Sequence, residues 1–191
     1  MTARIEHVVV VVPARDEERV IGRCLAALQA ARQAARAVLP DLSVDLVLVL
    51  DGSTDGTRAV ALGHLDVRLL DLDDGSGAAA ARAAGIRDAL ARSTADPART
   101  WLASTDAGSD VPATWVLDQV RLADAGADAA VGTRRPGEPV AAWRAARVPG
   151  RSGRHGLGAH HGLRADAYLR AAGLGDQPGR RPEAQADAES A

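Results

Sequence analysis

The chain has 191 residues, 47% of them hydrophobic, and a formal net charge of -2. That is one domain of ordinary size with apolar residues enough for a core, which excludes wholesale disorder. Three Trp and one Tyr are the only aromatic residues, so there is no stacking platform for single-stranded nucleic acid, and no stretch approaches the ~20 apolar residues of a membrane span.

The run from His7 to Val12 has no polar alternation and predicts a strand covered on both faces, ended by Pro13. From Asp16 the residues Val20, Ile21, Cys24, Leu25 and Leu28 fall at helical spacing, with Asp16, Glu17 and Glu18 in the first turn, where the helix dipole favours acids. Cys24 is the only cysteine and lies on the apolar face, which predicts a buried core residue and fits a reducing compartment. The N-terminus has no long apolar core of a secretory signal, so the expected location is the cytoplasm.

Val44 to Leu50 form a second buried strand with Asp51 at its tip, and Thr54 or Asp55 caps a helix beginning near Gly56. Ligands of open α/β sheets bind outside the carboxyl ends of the strands, so Asp51 is placed to accept hydrogen bonds from a base or ribose. Val67 to Leu72 are a third strand, and Gly75-Ser76-Gly77 open an Ala-rich helix through about Leu90. Those glycines either bring free amides to a phosphate or make a tight turn into a closely packed helix. They follow the third strand rather than the first, a poor fit to a nicotinamide dinucleotide fingerprint.

Trp101 to Ser104 make a short strand, followed by a loop with Asp106 and Asp110 and by a helix from near Pro112 that turns Trp115, Val116, Leu117 and Val120 inward. Closely spaced loop carboxylates hold Mg²⁺ or Mn²⁺ against a diphosphate, because these hard cations take oxygen ligands and keep positions open for phosphate. Asp110 alternatively caps the helix. Residues 134–181 carry ten Arg against Glu138, Asp166 and Asp176, either a solvated face or one turned to phosphate or an anionic acceptor. His155, His160 and His161 form either a transition-metal cluster or a mobile loop of solvated imidazoles. Trp143 either stacks on a sugar face or packs its helix onto the sheet. From residue 175 the composition turns to Pro, Gly and charge, which predicts a folded domain over 1–174 and a disordered tail over 175–191.

Five segments, in this order, resemble the family-2 glycosyltransferases of the GT-A fold: Val10-Val11-Val12-Pro13-Ala14-Arg15-Asp16-Glu17-Glu18, Leu50-Asp51-Gly52-Ser53-Thr54-Asp55-Gly56-Thr57, Gly77 through Ala81-Arg82-Ala83-Ala84-Gly85-Ile86, Ser104-Thr105-Asp106-Ala107, and Gly158 through Tyr168. The resemblance implies a three-layer α/β/α, Rossmann-like domain with a mostly parallel sheet. It also implies transfer of a sugar from a nucleotide diphosphate sugar, with Mg²⁺ or Mn²⁺, to an acceptor left open, an anionic or lipid-linked one included. Pro13, Ala14, Glu17 and Asp51 would border the nucleoside, with Arg15, Ser53, Gly77, Arg82 and Arg164 also on the donor. Asp106 would head the Asp-x-Asp element serving ribose, diphosphate and metal, with Asp110 as second metal and catalytic carboxylate. Arg134, Arg135 or Arg164 would supply part of the cationic charge.

The chain departs from the family pattern twice. Gly108 stands where the second metal-binding Asp belongs, and no Glu-Asp pair follows Ala171-Ala172-Gly173-Leu174 to act as base. A second reading is therefore a degenerate relative that binds nucleotide sugar or a partner without turnover. A nucleotidyltransferase on a similar fold is the third, although Pro13-Ala14-Arg15-Asp16 lacks that class's glycine-rich opening loop.

Overall fold

A computed structural model describes residues 3–73, 75–133, 142–146 and 159–171. Strand β1, His7–Ala14, is buried at every position and occupies an inner place in the sheet. Helix α1 (Ile21–Val38) leads from it to β2 (Ser43–Asp51), and the short α2 (Thr57–Leu62) leads on to β3 (Val67–Leu72). Helix α3 (Ala78–Arg92) returns to β4 (Thr100–Ser104), and α4 (Trp115–Asp124) follows. Strands β5 (Ala129–Thr133), β6 (Ala142–Ala146) and β7 (His161–Arg164) complete the sheet, and α5 (Ala165–Ala171) packs beside it.

The seven strands lie in the order β3-β2-β1-β4-β7-β5-β6. β1 is parallel to both β2 and β4, and β2 to β3, whereas β7 runs antiparallel to β4 and β5. The tips of β1, β2 and β4 therefore end on one edge. The unbroken apolar character of β1 has its cause in the two cores it serves. Val8, Val10 and Val12 pack with Ile21, Leu25, Leu28, Trp115 and Val116 of α1 and α4 on one face. Val9 and Val11 pack with Ala81, Ile86 and Ala89 of α3 on the other. This is the three-layer α/β/α arrangement with a mostly parallel sheet. The α3 layer is seated closely because Gly85 has no side chain: a Cβ there would lie 2.6 Å from Val11 Cγ1 and 2.7 Å from Val49 Cγ2.

Two local expectations are corrected. The first helix begins at Ile21 rather than Asp16, so the acids before it do not sit in its first turn. Asp16 instead takes a positive φ of 53°, and its carboxylate accepts hydrogen bonds from the amides of Thr54 and Asp55 at 2.8 and 3.3 Å. Glu18 accepts from the Gly56 amide at 2.8 Å, and the Glu17 amide donates to Thr57 Oγ1 at 2.7 Å. The loop after β1 is thereby clasped to the loop after β2. Asp55 does serve the start of α2, accepting from the Thr57 amide at 2.9 Å. The second correction is α4, which begins at Trp115 with Thr114 before it, so Asp110 does not cap it. Among the described residues no helix is long and apolar enough to cross a membrane.

Candidate active site

A cleft of about 530 Å³ opens at the edge where β1, β2 and β4 end. Pro13, Ala14, Arg15 and Glu17 of the β1 tip form one wall, and Asp51 of β2 with Gly77, Ala78 and Arg82 at the start of α3 forms the second. Asp106, Ala107, Gly108 and Ser109, after β4, close the third side. Four segments separated by up to ninety residues meet here because parallel strands joined by helices put all their carboxyl ends on the same edge.

Asp51 is only 2% exposed. One of its carboxylate oxygens accepts from the Ser76 amide at 2.9 Å and the Ser76 hydroxyl at 3.3 Å, and the other accepts from the Gly77 amide at 2.8 Å. The turn amides that the sequence left open between phosphate binding and tight packing thus serve a carboxylate of this chain. Gly77 takes φ 90° to present its amide, a conformation few other residues adopt. Arg15 reaches across from β1, its Nη1 3.4 Å from the Gly75 carbonyl.

Arg82 is 8% exposed. Its Nε donates to Ser104 Oγ at 3.1 Å, and Ser104 in turn donates to the Val11 carbonyl at 2.9 Å, so the guanidinium is fixed to the sheet. Its Nη2 makes an ion pair with the Asp106 carboxylate, whose side chain remains 52% exposed. Burial, together with the charges of Asp106 and Asp55, pushes the Glu17 carboxyl above its usual range. The thiol of Cys24 donates to the Asp106 carbonyl at 3.5 Å, and burial raises it to about 12, so it is a neutral packing group beneath the loop.

The Asp106 loop is also held from within by His160. Its Nδ1 lies 3.2 Å from Thr105 Oγ1 and its Nε2 3.5 Å from Ser109 Oγ, with the ring buried. His160 is therefore a buried brace and not a solvated imidazole, and among the described residues no three His, Cys, Asp or Glu side chains converge to hold a metal; His155 lies outside the described residues. No local pattern in the sequence points to this brace, which joins residues 51 and 55 positions apart. Trp143 lies on strand β6 rather than on a helix and packs on Trp115, ring centroids 6.0 Å apart and tilted by 58°.

Three expected site residues are placed elsewhere. Ser53 accepts from the Asp16 amide at 3.2 Å and donates to the Ala14 carbonyl at 3.3 Å, bracing the two loops outside the cleft lining. Asp110 is exposed and does not line the cleft. Arg164, expected beside the donor phosphates, pairs with Trp101 near the start of β4, at the opposite edge. It is 3% exposed and donates to the carbonyls of Ala3, Ala98 and Ala123 at 2.9, 2.6 and 2.7 Å. The reason is strand direction: β7 runs antiparallel to β4, so its last residue lies far from the Asp106 end. Arg134, Arg135 and the 175–191 tail lie outside the described residues.

The family model for glycosyl transferase family 2 matches residues 9–155. The chain belongs to that family. Among solved structures, this family 2 chain is similar to S. aureus TarS residues 1–349 in complex with UDP, at 16% identity and TM-score 0.57, covering 88% of this chain and 52% of that one. It is likewise similar to 4-diphosphocytidyl-2C-methyl-D-erythritol synthase, at 16% identity and TM-score 0.54, covering 92% and 81%. Glucosyl-3-phosphoglycerate synthase from Mycobacterium tuberculosis, with Mn²⁺, uridine diphosphate and glucosyl-3-phosphoglycerate, matches at 20% identity and TM-score 0.40 over 62% of this chain and 39% of that one. The family 2 chain thus spans about half the length of the TarS fragment. A comparison with curated proteins finds no match.

A divalent cation, which the family implies, meets a poor donor set in this cleft. Asp106 is already paired with Arg82, Gly108 offers no oxygen side chain, and among the described residues no three His, Cys, Asp or Glu side chains converge to hold a metal.

Proposed function

We propose that this family 2 chain binds a nucleotide diphosphate sugar in the cleft at the tips of β1, β2 and β4 and transfers the sugar to an acceptor hydroxyl. The observation that carries this reading is the meeting of Pro13, Ala14, Arg15, Glu17, Asp51, Gly77, Arg82 and Asp106 on one cleft. Pro13, Ala14, Glu17 and Asp51 would border the nucleoside, Asp106 would take a ribose hydroxyl, and the guanidinium groups of Arg15 and Arg82 would face the diphosphate. In the reaction the acceptor oxygen bonds to the anomeric carbon, the bond from that carbon to the diphosphate breaks, and negative charge grows on the leaving group. Preorganised guanidinium donors stabilise such charge.

A second reading, donor binding without turnover, has its own support. Among the described residues the carboxylates that line the cleft, Glu17, Asp51 and Asp106, all belong to the donor walls, and none of these three is left over as a base for the acceptor hydroxyl, a group worth typically 10² to 10⁴-fold in rate. The two readings separate in one experiment. The chain is offered uridine and guanosine diphosphate sugars with lipid and saccharide acceptors, while donor binding is measured by calorimetry and release of nucleoside diphosphate by a coupled assay. Binding with acceptor-dependent release supports transfer, and binding without release supports the second reading. Failure of every donor to bind removes both.

A further inference from the structure

We infer that the buried guanidinium of Arg82, and not a divalent cation, is the cleft's fixed positive charge for a diphosphate, so that nucleotide binding here is independent of metal; the inference rests on the donor-binding reading above. A cation as enclosed as Arg82 is costly to bury unless it is paired. Among the described residues it has one charged partner, Asp106, and one neutral one, Ser104. A metal ion seated on Asp106 would compete with Arg82 for the same carboxylate and bring two positive charges side by side. The position that would compensate with a further oxygen ligand is Gly108, which has no side chain and around which a Cβ meets nothing within 4 Å beyond its chain neighbours among the described residues.

The guanidinium itself suits the task. Among the described residues its hydrogen bonds run through Nε and Nη2, which leaves the Nη1 edge for an anion, and the planar fork matches phosphate oxygens in pairs. Ser104 ties it to the Val11 carbonyl, so it is held in place before any ligand arrives. Arg15, on the facing wall and near the Gly75 carbonyl, adds a second guanidinium on the other side of the cleft. Asp106 then acts as the counter-ion that keeps Arg82 aimed into the cleft.

The test is calorimetry with uridine and guanosine 5′-diphosphates and the corresponding nucleosides, each in EDTA and in Mn²⁺, on the native chain, Arg82→Gln and Asp106→Asn. The expected results are three. The affinity of the better diphosphate changes less than threefold between EDTA and Mn²⁺. Arg82→Gln weakens the diphosphate at least tenfold in EDTA and the nucleoside less than threefold. Asp106→Asn, which removes the counter-ion of Arg82, changes the diphosphate affinity by the same factor, within threefold, in EDTA and in Mn²⁺. A gain of threefold or more with Mn²⁺ overturns the inference while leaving donor binding standing, and so does a loss in Asp106→Asn that differs more than threefold between EDTA and Mn²⁺. A loss in Arg82→Gln that is under tenfold, or that falls equally on the nucleoside, also overturns it. Should Arg82→Gln not fold, the native chain and Asp106→Asn decide. Failure of all four compounds to bind removes the donor reading and this one with it.

Discussion

Asp51 and Gly77, twenty-six positions apart, are joined by a 2.8 Å hydrogen bond from the Gly77 amide to the Asp51 carboxylate at the edge of the sheet. With the parallel bond from Ser76, it fixes the start of α3, and through α3 the position of Arg82.

Asp51→Ala should therefore act on stability as well as on ligand. It leaves two part-buried amides without their acceptor, at about 0.5 to 1.5 kcal/mol for each hydrogen bond lost, and lowers the urea midpoint accordingly. Asp51→Asn keeps the shape but offers a single acceptor oxygen, and should fall between Ala and the native residue. Equal urea midpoints for all three chains would show that the clasp does not hold the turn.

Gly108→Asp should be neutral for folding, within about 0.5 kcal/mol, as expected of an exposed position with open space around it. It adds a hard oxygen beside Asp106, so Mn²⁺ should strengthen uridine or guanosine diphosphate binding more in this variant than in the native chain. Calorimetry in EDTA and in Mn²⁺ measures the difference directly. If the native chain responds to Mn²⁺ as strongly as Gly108→Asp does, an oxygen donor other than residue 108 is already in place.

Glu17 carries a pH dependence of defined sign. Its folded carboxyl titrates above the ordinary value of 4.5, first because of burial and then because of Asp106 and Asp55. The native fold thus favours the protonated form, and ionisation works against it. The contribution is absent below the unfolded value, grows as pH rises through the folded one, and stays at its full cost at neutral pH. Glu17→Gln should be as stable as the native chain at pH 4 and more stable at pH 7, by under about 1 kcal/mol, since the group is partly exposed and its charges are screened. Denaturant curves at the two pH values give the comparison; a variant that gains at pH 4 instead would reverse the assignment.

Much of the fold is legible in the sequence because its signals are local. The β1 and β2 runs, the Gly75-Ser76-Gly77 turn and the inward face of Trp115, Val116 and Val120 each follow from short-range pattern, and all four recur in the structure. What pattern could not supply was direction and partnership. The antiparallel course of β7, which carries Arg164 to the far edge, depends on sheet order, and no periodicity within four residues encodes that. The acids after β1 have the composition of a helix start, yet their acceptors are satisfied across the clasp by the loop after β2. The pairing of Arg82 with Asp106, and of His160 with Thr105 and Ser109, joins residues up to 55 positions apart.

Gly85→Ala probes the seating of α3. The added methyl would meet Val11 and Val49 inside ordinary contact distance, and overpacking of this kind costs about 1 to 3 kcal/mol. Because Arg82 lies one turn away on the same helix, the displacement should also weaken metal-free diphosphate binding. A thermal melt and a titration on one sample give both effects, and a destabilised variant with native affinity would mean that Arg82 is positioned by Ser104 alone.

The clasp between the β1 and β2 loops makes them a single opening unit. The amides of Glu17 and Glu18 donate to Thr57 and Asp55, while those of Thr54 and Gly56 donate to Asp16 and Glu18, so neither loop can expose its bonds to solvent while the other stays closed. Hydrogen exchange at these four amides should then proceed at one shared rate, and a ligand touching only the β1 side should slow exchange on the β2 side as well.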